Sequence, residues 1–301
     1  MCSIYTINIG ANTNHSSQAR SPIFRGKSFQ FVSFCTERDG DNPTDYPEEM
    51  LPFTSPHKDD LETHNDPDWE RMTYGDICTG PGCARGSKLR NVVPGDILLF
   101  WGLLYNNECP DRKNCSDRQG ACWEHFSRPL DSNKGWYLLG AMRVEKIVVG
   151  QHKLDRLSQE ERRRIKENVV ALDGLSSEEL CRIKKNAHFD GNKITSNHWI
   201  FLGDKDKKHS RLFDKAVALW VPKTEQESES NWKDSLLYKT FRTNNHGQRL
   251  CLSLNGSPRW YQYLRLCRKM WDLSDSEQRK LAGCIRDAIQ KDNEGFDLLR
   301  G

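Results

Sequence analysis

The sequence predicts an α+β protein: a small, closed, mixed β-sheet elaborated by helices, with a helical C-terminal region. Three observations carry this. The run Val93-Pro-Gly-Asp-Ile-Leu-Leu-Phe-Trp-Gly-Leu-Leu-Tyr105 is a Pro-Gly-Asp turn opening a long apolar strand. Its echo, Gly135-Trp-Tyr-Leu-Leu-Gly-Ala-Met-Arg-Val-Glu-Lys-Ile-Val-Val149, is a second long apolar strand with Gly140 near its start. Ser274-Asp-Ser-Glu277 reads as a capping box before Leu281, Cys284, Ile285, Ala288 and Ile289, an i, i+3, i+4, i+7, i+8 stripe. The strand pair suits a small closed sheet whose mouth accepts something flat, which directs attention to nucleobases.

The other elements follow in chain order. Residues 3–9 alternate as a strand, Ile4, Thr6 and Asn8 opposite Tyr5, Ile7 and Ile9. Residues 28–34 read the same way, Phe29, Phe31 and Ser33 facing opposite to Gln30, Val32 and Phe34. Between them the polar stretch from Gly10 to Phe24 leaves a strand end, where functional groups commonly sit. Residues 36–68 are rich in Pro and Asp and lack periodicity, a long irregular segment. The two barrel strands, 93–105 and 136–149, are joined by a polar, cysteine-bearing insertion, 106–134. Leu157 to Ala171 is helical in pattern, with Ser158-x-x-Glu161 at its start, and Ser176-Ser-Glu-Glu179 opens a shorter helix ending near Asn186. Strands are expected near 198–203 and 215–221. Thr224–Asn231 is a polar, low-complexity surface loop or linker. Trp260, Leu264, Cys267 and Trp271 make an apolar face on a helix before the last one, read as core rather than as a base-stacking platform. The organisation expected is one domain over 1–222 and a helical extension over 223–301 packed on it.

Composition bounds the function. The chain has 301 residues, 36% hydrophobic and 29% charged, with a formal net charge of +3. So even a balance is not that of a protein holding nucleic acid by phosphate neutralisation alone. The charge is unevenly spread. Residues 41–70 are strongly acidic with Lys58 as their basic side chain, read as a solvated loop, while Arg162-Arg163-Arg164 and the tail from Arg259 lean basic. The first residues, Met1-Cys-Ser-Ile-Tyr-Thr-Ile-Asn-Ile9, follow a strand pattern rather than that of a signal peptide. No apolar run approaches the roughly 20 residues of a membrane helix. A soluble, cytoplasmic protein with no membrane partner is expected. Eleven cysteines, in a reducing compartment, are buried thiols or clustered metal ligands. Gly-x-Gly-x-x-Gly, Walker, Gly-x-Ser-x-Gly and His-Glu-x-x-His motifs are missing, which argues against dehydrogenase, ATPase, serine hydrolase and zincin readings.

Gly95, Asp96, Phe100, Trp101 and Gly140 stand where the PUA, ASCH and EVE superfamily of small barrels has its Gly-Asp turn, apolar strand and inner glycine, and the chain resembles that superfamily there. A wider resemblance runs through Gly10-Ala-Asn-Thr-Asn-His15, Arg20-Ser-Pro-Ile-Phe24, His64-Asn-Asp-Pro67, Thr73-Tyr-Gly-Asp76, Gly95-Asp-Ile-Leu-Leu-Phe-Trp-Gly-Leu103, Asn186-Ala-His-Phe189 and Ser210-Arg-Leu-Phe-Asp-Lys-Ala216. In this order the motifs resemble the nucleotide modification associated domain 3 family over roughly residues 3–222. The cysteine insertion and the tail after residue 222 depart from that pattern. The resemblance implies a role beside base modification in DNA or RNA, with protein partners of such a system, and implies no mechanism.

Four constellations carry the chemistry. Asn12, Asn14, His15 and Arg20 can hydrogen-bond a base edge or a phosphate, with His15 a general base; the alternative is a loop held by Asn turns. His64, Asp66, Thr73, Tyr74 and Asp76 offer Asp66 and Asp76 as paired carboxylates for acid–base work or Mg²⁺, and Tyr74 as a stacking ring, although Asp66-Pro67 also serves as a turn. Cys109, Cys115, Cys122 and His125 make a Cys₃His set for a structural zinc, against the alternative of free thiols; Cys78-x4-Cys83 lies nearby. A deaminase is disfavoured because its His-x-Glu and Pro-Cys-x-x-Cys pair is missing. Asn186, His188, Asp204, Lys205, Lys207, His209, Ser210 and Arg211 form the fourth, with His188 lining a pocket and Lys207, Lys208 and Arg211 meeting phosphates, against the alternative of a solvated charged turn. Three readings result, the third a purely structural subunit whose cysteine insertion docks a partner. In the first, the protein binds a nucleotide or modified base at a barrel mouth. Trp101 and Tyr74 stack, Asn12, Asn14 and Asp96 read edges, and Arg20 and Arg211 hold phosphate. In the second it is an enzyme altering a base substituent, with His15 or His188 transferring a proton beside Asp66 or Asp76.

Overall fold

A computed structural model describes residues 2–9, 21–33, 44–54, 62–79, 86–106, 134–149, 158–195, 197–221, 235–236, 239 and 268–299. In chain order the elements are β1 (Ser3–Asn8), β2 (Pro22–Ile23), β3 (Thr44–Asp45), β4 (Glu62–Thr63), β5 (Thr73–Ile77), β6 (Ile97–Asn106), β7 (Lys134–Val149), α1 (Gln159–Asn168), β8 (Val169–Val170), α2 (Ser177–Lys184), β9 (Phe189–Asp190), β10 (Lys193–Ile194), β11 (His198–Gly203), β12 (Arg211–Trp220), β13 (Arg268–Asp272) and α3 (Ser276–Asp292). None of these helices is long and apolar enough to cross a membrane.

Strand β6 shows why the sheet is buried on both faces. Ile97, Leu99, Trp101, Leu103 and Tyr105 enter one apolar cluster, and Leu98, Phe100 and Leu104 enter another. Side chains alternate across a strand, so an unbroken apolar run feeds two cores at once. Its opening turn is built as the residues dictate. Gly95 has φ +93, and Asp96 N donates to Val93 O at 3.0 Å. Pro then Gly at the centre of such a turn satisfies the fixed φ of the first position and the positive φ of the second.

Pairing runs β13-β1-β6-β7-β11-β5, with β12 and β8 also on β7 and β2 on β6. The first half of β7 lies between β6 and β12, and the second half is paired by β11 and β8. The change of partner centres on Val144, whose C=O accepts from Gly95 N at 2.7 Å and whose N–H donates to Asp96 O at 2.8 Å. The end strands β13 and β5 do not pair with one another, so among the described residues the sheet is open. The closed small barrel expected from the turn-and-strand pattern is not what the pairing describes. The physical reason is the length of β7: it serves two sheet halves in succession instead of curling one hairpin round on itself. The α+β class stands, with sheet dominant and few helices.

Three local expectations change. Residues 28–33 do not form a strand; Phe29 makes an isolated bridge to Ile23, and Ser21 Oγ accepts from Val32 N at 2.9 Å. Trp271, expected on a helix, lies on β13, antiparallel to β1 and fully buried. Sheet pairing overrides helical periodicity there. In α3 the inner face is Leu281, Ala282, Ile285, Ala288 and Ile289, Cys284 is exposed, and the N-cap is Asp275, which accepts from Glu277 N and Gln278 N. The α2 capping box forms as read: Ser176 accepts from Glu179 N, and Glu179 accepts from Ser176 N.

Candidate functional site

Strand β5 is a short ladder on β11, with Gly75 opposite Ile200 and Tyr74 opposite Phe201. Alternation divides its side chains between two layers. Tyr74 faces the central core beside Phe100 and Phe201, and its hydroxyl donates to Asp76 Oδ2 at 2.6 Å. Asp76 Oδ1 accepts from Ile77 N at 2.8 Å. Thr73 and Gly75 point the other way. There the loop after α2 brings Asn186 and His188, and the segment before β5 brings His64 and Asp66.

These groups form one buried polar cluster. His64, Asp66, Thr73, Asn186 and His188 are all buried. His64 Nε2 and His188 Nε2 are 3.1 Å apart, and His188 Nε2 lies 3.4 Å from Asp66 Oδ2. The other carboxylate oxygen, Asp66 Oδ1, accepts from Gly75 N at 2.8 Å and from Asn186 Nδ2 at 3.2 Å. Asn186 Nδ2 also reaches Thr73 Oγ1 at 3.1 Å, and its Oδ1 accepts from His188 N at 3.0 Å. The His188 ring stacks on His198 at 3.9 Å between centroids and 16° between planes. Thr195 Oγ1 lies 3.1 Å from His198 Nδ1 and donates to His188 O at 3.1 Å.

Glycine at position 75 is a spatial requirement. A Cβ there would stand 2.3 Å from His188 Cδ2 and 3.2 Å from Asn186 Oδ1. The backbone of β5 is thus the floor on which the imidazole rests. His64, Asp66 and His188 each offer one donor atom, and these atoms lie within 4.8 Å of one another. Paired nitrogen and carboxylate groups at such distances can pass a proton or share a cation.

Of the residues singled out in the sequence, His64, Asp66, Thr73, Asn186 and His188 meet in this cluster, and the others are dispersed. Asp76 lies on the opposite face of β5 from Asp66, so the two carboxylates are separated by the strand. Asp96 holds the opening turn of β6, accepting from Ser3 N at 2.7 Å and from Val93 N at 3.0 Å. Trp101 is 2% exposed and packs against Trp136 at 5.1 Å, and Tyr74 is 1% exposed. Arg211 donates to Glu294 O at 2.9 Å and lies over the Phe296 ring. Asn12, Asn14, His15 and Arg20 lie outside the described residues, as do Cys109, Cys115, Cys122 and His125. Gly140, the inner glycine of the expected barrel, is covered by the chain itself: a Cβ there would meet Trp69 Cη2 at 2.4 Å and Arg211 O at 2.7 Å.

Sequence reasoning did not find Gly75, Thr195 and His198 as members of the site. The signal present was the pair of motifs His64-Asn-Asp-Pro67 and Asn186-Ala-His-Phe189; nothing in their separation along the chain announces that they touch. A family model described as nucleotide modification associated domain 3 matches residues 4–263. No curated protein and no solved structure matches the chain.

Proposed function

The chain belongs to the nucleotide modification associated domain 3 family, and we propose that it is an enzyme of a nucleotide-modification pathway whose reaction on a base or nucleotide is carried by His64, Asp66 and His188. The single observation behind this is the convergence of His64 Nε2, His188 Nε2 and an Asp66 carboxylate oxygen in one buried cluster. A carboxylate beside an imidazole stabilises its protonated form, and a second imidazole within hydrogen-bond reach gives that proton a place to go. Asp66 is held by two donors on its far oxygen, which fixes the near oxygen toward His188. This is the positioning that general acid–base chemistry needs.

The alternative, a receptor that only holds a base, asks for an aromatic floor. The two rings assigned to that floor, Trp101 and Tyr74, are both engaged in core packing on different layers, which favours the enzyme reading. The test is nucleoside mass spectrometry of DNA and RNA from cells carrying the wild-type gene, no gene, or His188→Gln. A nucleoside present only with the wild type supports the proposal. Identical nucleoside profiles with and without the gene, or a product that survives His188→Gln, would end it.

A further inference from the structure

We infer that His64, Asp66 and His188 bind a divalent first-row transition-metal ion. The inference rests on the reading of this cluster as the reaction centre and names the cofactor that centre takes. Three geometric facts carry it. First, two of the three separations fit a shared ion, and the third lies within 4.8 Å. Donor atoms about 2.1 Å from one cation, at octahedral or tetrahedral angles, stand about 3.0–3.4 Å apart. Here His64 Nε2 to His188 Nε2 is 3.1 Å and His188 Nε2 to Asp66 Oδ2 is 3.4 Å.

Second, the three atoms crowd one point. A ring nitrogen has one lone pair or one N–H, pointing along a single direction. His188 Nε2 nevertheless lies 3.1 Å from His64 Nε2 and 3.4 Å from Asp66 Oδ2, and one hydrogen bond serves only one of them. A cation placed between the three serves all of them.

Third, the carboxylate ligand and the backbone of one histidine ligand are held in place by neighbouring groups. Asp66 Oδ1 is fixed by Gly75 N and Asn186 Nδ2, leaving Oδ2 as the ligating oxygen. Asn186 is a positioning residue: its Oδ1 also fixes the backbone of His188, so one amide orients two ligands. His198 stacks on His188 and is itself held by Thr195. Supports of this kind fix ligand orientation, and their loss costs about 10–100-fold in affinity. The donor set selects the ion class. Two imidazoles disfavour Mg²⁺ and Ca²⁺, which take oxygen ligands, and suit iron, manganese, cobalt or zinc. Two nitrogens and one carboxylate also leave coordination positions for water or a substrate group. Ligation would take both imidazoles out of proton transfer, and the ion they hold with Asp66 would supply Lewis-acid chemistry at the same centre.

The test is a Co²⁺ titration of the metal-stripped full-length protein, followed by visible absorption, with circular dichroism to check folding. One ion at this site is expected, with d–d bands and no sulfur-to-metal charge-transfer band from it. His64→Ala and His188→Gln should each weaken binding about 100-fold or more, and Asn186→Ala about 10–100-fold. The combined variant Cys109→Ser, Cys115→Ser, Cys122→Ser should leave the d–d bands in place. Asp66→Asn, nearly isosteric, is the second ligand variant should the histidine changes unfold the chain. Stripped protein that takes up no Co²⁺, Fe²⁺, Mn²⁺ or Zn²⁺ at micromolar concentration overturns the inference. So does unchanged affinity in folded His188→Gln or Asp66→Asn. Base modification that persists with chelator but is lost in His188→Gln overturns the metal and leaves the proposed function standing.

Discussion

Gly75 decides the geometry of the site more than any charged residue does. Its missing Cβ is the space that His188 Cδ2 occupies, while its N–H positions Asp66. Gly75→Ala keeps the N–H and takes the space. Overpacking of this size costs about 1–3 kcal/mol, so the melting temperature should fall modestly while site function falls steeply. A variant that melts lower yet keeps full Co²⁺ affinity and turnover would show that the floor does not matter. A second residue reports on a different corner. Burial, and Asp96 beside it, push the Cys2 thiol up to about 11 from 9.0. The thiol donates to Gly95 O at 3.2 Å. A thiol whose pKa is raised on folding contributes stability that is complete below its unfolded value and is lost as pH rises through the folded one. Peptide mapping after iodoacetamide treatment at pH 8 should find exposed Cys181 and Cys284 alkylated before Cys2, with the Cys2 rate climbing toward pH 11. Alkylation of Cys2 at the rate of Cys181 would contradict this.

At the scale of elements, α2 is anchored so that the loop it feeds can be placed. Arg182 is buried and donates to Arg71 O at 2.7 Å, Met72 O at 3.1 Å and Gly203 O at 2.6 Å. Burial lowers its pKa from the usual range, with Glu145 and Glu179 opposing that shift. The guanidinium fork thus ties the helix to the turn before β5 and to the end of β11. Those elements carry Asp66, Gly75, Asn186 and His198. Removing it takes a donor from three carbonyls, of which Met72 O keeps Gly203 N at 2.8 Å, and a buried carbonyl left without a donor costs about 1 kcal/mol or more. Arg182→Ala should therefore lose about 2–4 kcal/mol in urea unfolding and weaken the His188 site. Arg182→Lys restores charge but not the planar fork, and should recover only part. Stability of Arg182→Ala equal to wild type would remove the anchor from this account.

At the scale of the molecule, the end of the described chain completes the beginning. β13 adds to the outer edge of β1, with Ile4 opposite Trp271. Ala282, Ile285 and Ile289 of α3 join Trp101, Trp136 and Phe213 in one core. Asn293 then locks α3 to β12, donating to Lys215 O at 3.0 Å and accepting from Lys215 N at 3.1 Å. Ile285→Ala should cost about 2–5 kcal/mol by leaving a cavity in that core. A chain ending before residue 268 should aggregate, because β1 becomes an open edge and an apolar face is uncovered. Soluble, cooperatively folding protein from that truncation would refute the shared core.

The sequence by itself determined the strands β1, β6, β7, β11 and β12, and the start of α2, which carries its own capping box. Burial on both faces and side-chain capping are local, and leave a mark within a few residues. It also placed His188 and Asp66 among the candidates, because both stand in recognisable motifs. Only the tertiary structure decided that β7 serves two sheet halves, that Trp271 belongs to a strand, and that Trp101, Tyr74 and His188 lie on three different layers. It alone brought His64 and Asp66 against His188, residues more than a hundred positions away, over a glycine with no side chain to betray its role. Contacts across such distances depend on how α2 and β5 are docked, and docking is set by packing between elements rather than by the pattern within any one of them.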